Sequence, residues 1–230
     1  LRPLSVERRS CGPSARVASA GVIATAVVCP HPPALLRELG GLEDPVAALR
    51  AACAEALRAA LVEEPDTVVV VGGAVATGRW HPSAPLGLRR FGTTTARDAT
   101  YLPQSLGVGR RLLEEAGWSG PLRLHAVSWD AGADEVAGVA GEVLAAPGRA
   151  VLVVMADGSA RRGEKAPGHL DERAFGYDDA VGRALEGGDA GTLTDLDAAL
   201  AADLLVQGRA ALAVLGAVVT RAAVESGAAE

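Results

Sequence analysis

The sequence predicts an α/β fold, a three-layer α/β/α domain built on a mostly parallel sheet, and three observations predict it. Apolar runs of strand length alternate with Ala/Leu segments of helical spacing. Two of those runs, "TVVVV" and "AVLVVM", are apolar on both faces, as a parallel strand covered by helices on each side would be. Hydrophobic residues make up 49% of the chain but aromatic ones only 3%, so Val, Leu and Ala must fill the interior, which suits helices laid closely on a Val-rich sheet.

The elements follow in chain order. Residues 1–20, "LRPLSVERRSCGPSARVASA", are rich in Arg, Ser and Pro without apolar periodicity, and are expected to be a disordered or misassigned segment outside the fold. Residues 21–230 are expected to form a single domain, since neither an internal repeat nor a linker interrupts them. The first strand is "GVIATAVV", 21–28, which stops at three prolines within four residues. A helix is expected over 44–62, a second strand over 67–71, and then a long loop, 72–103, with Gly, Pro and Thr clusters. Helix 104–116, strand 122–129, helix 132–146 and strand 150–155 continue the alternation. Beyond a polar loop, 156–174, only helical segments remain, near 175–187, 193–206 and 208–222. "GTLTDLD" offers Thr192 as N-cap of the middle one, with Asp195 in the place of a capping-box Glu.

Charge and composition narrow the function classes. The net charge is −6 and the basic residues are scattered, which argues against a nucleic-acid partner. Cys11, Cys29 and Cys53 form an odd set without CxxC spacing, so neither a disulfide framework nor a zinc knuckle is indicated, and a reducing cytoplasm fits best. No apolar run reaches the roughly 18 to 20 residues that span a bilayer. A soluble protein without a membrane partner is expected.

In an open parallel sheet, ligands bind outside the carboxyl ends of the strands. The turn "CPHPP" and both long loops leave from such ends, so three separate segments are expected to meet there. His31 sits between prolines that fix the backbone on either side, a stiff mount suited to a metal ligand or a general base; the plainer reading is a turn histidine without a chemical duty. "VVVVGGAVATG" invites comparison with a dinucleotide fingerprint, but Gly72, Gly73 and Gly78 do not make G-x-G-x-x-G, and a tight strand exit is the simpler account. His81, in "RWHPSAP", is the second histidine able to reach the same edge, against the alternative of a surface histidine beside Trp80. In "MADGSARRGEKAPGHLDERAFGYDD", Asp157 and Ser159 leave the fourth strand at that edge. His169, Asp171, Glu172, Tyr177 and Asp178 follow, with His169 a candidate acid or base; the bland reading is a solvated, capped loop. His125, inside the third strand run, reads as a core or edge histidine with one hydrogen-bond partner.

Taken in order, "CPHPPALLREL", the Val-rich strand with its Gly exit, "ADGSARR" and "APGHLDERAFGYDDAV" resemble the class III extradiol ring-cleavage dioxygenase catalytic-subunit superfamily, which includes the Memo-like proteins. The resemblance covers roughly residues 21–222. It implies an Fe(II) site, with Zn as the alternative metal and a form holding neither metal as the third case, built on His31 as first ligand. It also implies a carboxylate partner, a small phenolic or aromatic substrate, and a homo-oligomer. Two positions depart from the pattern. Gly73-Ala74-Val75 stands where a second histidine is expected, with His81 several residues later, and Ala160 stands where the catalytic histidine of a "GDLSH"-like stretch would be. A 2-His-1-carboxylate centre holds Fe(II) by three protein donors on one face. Two readings follow. One is a metal-dependent oxidoreductase with His31 and His81 as ligands and His169, Asp157 and Ser159 in supporting roles. The other is a catalytically inactive member that binds a small molecule or a protein.

Overall fold

A computed structural model of the chain describes residues 21–39, 44–87 and 101–227. Among them, five strands form one sheet in the order β1-β5-β2-β4-β3. The strands are β1 (Val22–Cys29), β2 (Thr67–Ala74), β3 (Gly78–Trp80), β4 (Leu122–Ser128) and β5 (Arg149–Met155). All pair in parallel except β3, which runs antiparallel to β4 at one edge. The helices are α1 (Ala47–Leu61), α2 (Gln104–Ala116), α3 (Ala133–Leu144), α4 (Arg173–Gly187), α5 (Ala190–Thr194), α6 (Ala198–Asp203) and α7 (Arg209–Gly227). The fold is three-layer α/β/α.

Both central strands are buried on both sides, which is why their sequences are unbroken apolar runs. Along β5, Ala150, Leu152 and Val154 face one core while Val151, Val153 and Met155 face the other; Val69 and Val71 of β2 alternate with Val68 and Val70 in the same way. The first core is closed by α3, α4 and α7, through Val136, Val139, Ala140 and Val143 of α3 at helical spacing. The second is closed by α1 and α2, through Cys53, Leu57, Leu106 and Leu112. Passing from β1 to β2 and from β2 to β4 moves one way across the sheet, and passing from β4 to β5 moves back. A uniform crossover hand therefore puts α1 and α2 on one face and α3 on the other.

The structure refines several expectations. The third strand in chain order, β3, lies inside the expected long loop; three residues, "GRW", carry no alternation to read. The helix expected over 193–206 is two short ones, and the caps are Asp189 and Asp197 rather than Thr192. Asp189 accepts from the Thr192 N–H at 3.0 Å, and Asp197 accepts from the N–H groups of Ala199 and Leu200. Asp189 follows Gly188, whose φ of +66° ends α4 in the left-handed conformation. Residues 1–20, with Cys11, and 88–100 of the long loop lie outside the described residues. Cys29 and Cys53 are buried free thiols. No helix among the described residues is long and apolar enough to cross a membrane.

Candidate functional site

Because β1, β2, β4 and β5 are parallel, their carboxyl ends share one edge of the sheet. There, a cavity of about 550 Å³ opens. His31 contributes from the turn after β1, Gly73 to Ala76 from the end of β2, Trp129 from just after β4, Tyr101 to Ser105 from the entry to α2, and Gln207 from the loop before α7. Trp80 of β3 and Leu86 complete one wall.

The His31 turn is held from three sides. Its backbone N–H donates to Asp157 Oδ1 at 2.8 Å, and its ring Nε2 stands 3.4 Å from Asp157 Oδ2, so one carboxylate grips both main chain and imidazole. Gln104, the first residue of α2, donates from Nε2 to the His31 carbonyl at 3.0 Å. Arg50, 2% exposed on α1, donates from Nε to the Leu35 carbonyl at 2.8 Å and from Nη2 to the Ala34 carbonyl at 2.9 Å, and pairs with Asp44. Asp157 reaches the turn because the Ala156 N–H extends the β1–β5 ladder by donating to the Cys29 carbonyl at 2.9 Å.

His31 is 2% exposed, and its Nδ1 has no hydrogen-bond partner among the described residues. Burial pushes its pKa below the ordinary 6.5, and the nearby Asp157 charge offsets only part of that, so the ring is neutral at pH 7. A neutral imidazole backed by a carboxylate is a hydrogen-bond acceptor and a base.

Asp157, its side chain 30% exposed, also borders a smaller cavity of about 230 Å³ with Gly158 and Asp178. The pair thus stands between two cavities.

The glycines at the end of β2 are there for packing. A Cβ on Gly72 would lie 2.5 Å from Ser105 Oγ, and one on Gly73 would lie 2.4 Å from the Gln207 carbonyl oxygen and 2.8 Å from the Trp129 ring. Ser105 Oγ donates to the Gly73 carbonyl at 2.8 Å, which locks α2 to the strand exit. Gly208 repeats the device: its Cβ would lie 2.4 Å from the Asp157 carbonyl oxygen, so the approach to α7 presses on the residue that grips His31.

Of the residues singled out in the sequence, the structure brings His31 and Asp157 together, and His81, Ser159 and His169 do not join them at the cavity. His81 is exposed, does not line the cavity, and shares its Nδ1 with Ser83, at 2.7 Å from the hydroxyl and 3.2 Å from the N–H. Ser159 donates from Oγ to the Leu204 carbonyl at 2.8 Å and from its N–H to Asp178 Oδ1 at 2.8 Å, as a staple of the polar loop. His169 is exposed at φ +61°, its carbonyl accepting from Arg161. Arg161 also donates to the Gly168 and Asp203 carbonyls, and Arg173 holds the Asp171 carboxyl down to about 2, so the dense polar stretch is a structural clasp. His125 is buried with Nδ1 3.0 Å from Glu142 Oε2.

A three-donor metal centre does not fit these residues. Among the described residues no three His, Cys, Asp or Glu side chains gather as a metal-holding group, and the two donors that meet, His31 and Asp157, are turned on each other.

Sequence reasoning passed over Gln104, Ser105, Trp129, Gln207 and Arg50, which build the cavity and its turn. Each is brought in by a crossover, and no local pattern marks it. No family model matches the chain, and no curated protein matches it.

Proposed function

We propose that this chain binds one small aromatic molecule in the cavity at the carboxyl edge of its sheet, and does so without an iron centre. One observation carries the reading. The chain has only three Trp, two Tyr and two Phe, and three of these rings, Trp80, Tyr101 and Trp129, line this one cavity. Aromatic side chains that are scarce everywhere else and gathered around a concave, mostly apolar space suit a flat ligand held by stacking. His31 supplies a neutral acceptor at its base, able to take a hydrogen bond or a proton from the bound molecule. Of the two readings that the resemblance to the extradiol superfamily leaves, the donor set favours the binding member over the ring-cleaving one.

Quenching of tryptophan emission by 2-naphthol or quinazolin-4(3H)-one tests this. Saturable one-site quenching, weakened roughly ten-fold by Trp129→Ala, is the expected result. Metal analysis of anaerobically purified protein tests the other half: about one Fe or Zn per chain, lost in His31→Ala, would overturn the iron-free reading.

A further inference from the structure

One wall of the cavity is tied to the far face of the sheet. β3 lies at the sheet edge and, among the described residues, pairs with β4 alone over its three residues. Adjacent residues of a strand point to opposite faces. Trp80, opposite Leu124, turns to the face of the second core and lines the cavity. Arg79, opposite His125, turns to the face that carries α3, where Glu142 meets it. Glu142 Oε2 accepts from Arg79 Nε at 2.9 Å and lies 3.0 Å from His125 Nδ1, so a single oxygen joins β3, β4 and α3.

This clasp differs from an ordinary surface ion pair in how its carboxylate is fixed. An exposed Arg–Glu pair gains little, because two long side chains must be ordered to make it. Here Arg79 holds the Glu142 carboxyl below its ordinary range, so the group is ionised and only accepts, and His125 Nδ1 must carry the proton between them. His125 is 2% exposed and orders the carboxylate from inside the protein. On the opposite face, Arg110 of α2 donates from Nη1 to the Pro82 and Ala84 carbonyls at 2.7 Å each. Residues 79–84 thus have a charged anchor on either face, with Trp80 between them in sequence.

Resting on the aromatic-pocket reading above, we infer that Glu142 is a positioning residue of the site: through Arg79 and β3 it holds Trp80 where the flat ligand stacks. Glu142 itself is not among the residues that line the cavity. A wall held in place needs no ordering when the ligand arrives, whereas a wall free to shift lowers the apparent affinity by the fraction of molecules in which it is in place.

Titration of the full chain with 2-naphthol, followed by calorimetry, tests this. Arg79→Ala, which leaves the His125–Glu142 contact intact, should bind about three-fold more weakly, and Glu142→Ala about ten-fold. Arg149→Ala removes a similarly exposed ion pair, with Glu63, at the amino end of β5, and should stay within about two-fold of wild type. The deciding comparison is made on a Trp80→Leu background, where adding Arg79→Ala should change affinity no further. Wild-type affinity in both Arg79→Ala and Glu142→Ala, an equal loss in Arg149→Ala, or an additive loss on the Trp80→Leu background each overturns the positioning role and leaves the aromatic pocket standing. No binding of 2-naphthol by the wild-type chain overturns both. Arg79→Ala against Arg149→Ala decides by itself if Glu142→Ala fails to fold or Trp80→Leu binds too weakly to read.

Discussion

At the scale of single residues, two buried histidines set how the protein responds to acid. His31 and His125 both have pKa values lowered below 6.5, chiefly by burial. The unfolded chain therefore takes up protons at a pH where the folded chain does not. Their contribution to stability is complete above about pH 6.5 and is lost as pH falls through the lower folded-state values. Urea midpoints measured from about pH 8 to pH 5 should fall on the acid side, and His125→Leu should flatten part of that slope. Asp157→Asn probes the other histidine. The amide keeps an acceptor for the His31 N–H but removes the charge facing the ring, so the His31 pKa drops further, readable in imidazole nitrogen NMR, and stability falls by about 1 kcal/mol. His31 was legible in the sequence because prolines on both sides announce a rigid turn at a strand exit. Asp157 was legible because it leaves another strand at the same edge. Gln104 and Arg50 were not, because a glutamine opening a helix and an arginine within one look like solvated surface until the chain folds back.

At the scale of elements, close approach and open space make opposite predictions for the same substitution. Gly73→Ala drives a methyl into the Gln207 carbonyl oxygen and the Trp129 ring, and should cost about 1 to 3 kcal/mol and narrow the cavity. Gly176→Ala, on α4 with nothing within reach of the added carbon, should gain about 0.5 to 1 kcal/mol. Thermal melts of the two variants check both signs. Asp197→Ala removes the cap that takes two N–H groups of α6 and should cost about 1 kcal/mol. The main elements were readable because their periods are clean: unbroken valines for β2 and β5, a 3–4 spacing for α3. The split of the expected 193–206 helix into α5 and α6 was not, since Ala and Leu continue through the break and only the positions of Asp189 and Asp197 mark it. β3 escaped because its place is fixed by pairing with β4, not by its own three residues.

At the scale of the molecule, β2 and β5 give alternate side chains to both cores, so neither core can be lost alone without stripping the sheet. Unfolding should be one cooperative step, with near-ultraviolet and far-ultraviolet circular dichroism giving coincident transitions. The strand order has a further consequence, for a chain that emerges from its amino end. Among the described residues β1 pairs with β5 alone, while β2 and β4 can zip together as soon as both exist. His31 and Asp157 are separated by 126 residues and meet when the last strand slots between β1 and β2. During synthesis the first strand therefore waits, unpaired and apolar, through most of the chain's emergence. The pocket's histidine acquires its carboxylate in the closing event of sheet assembly.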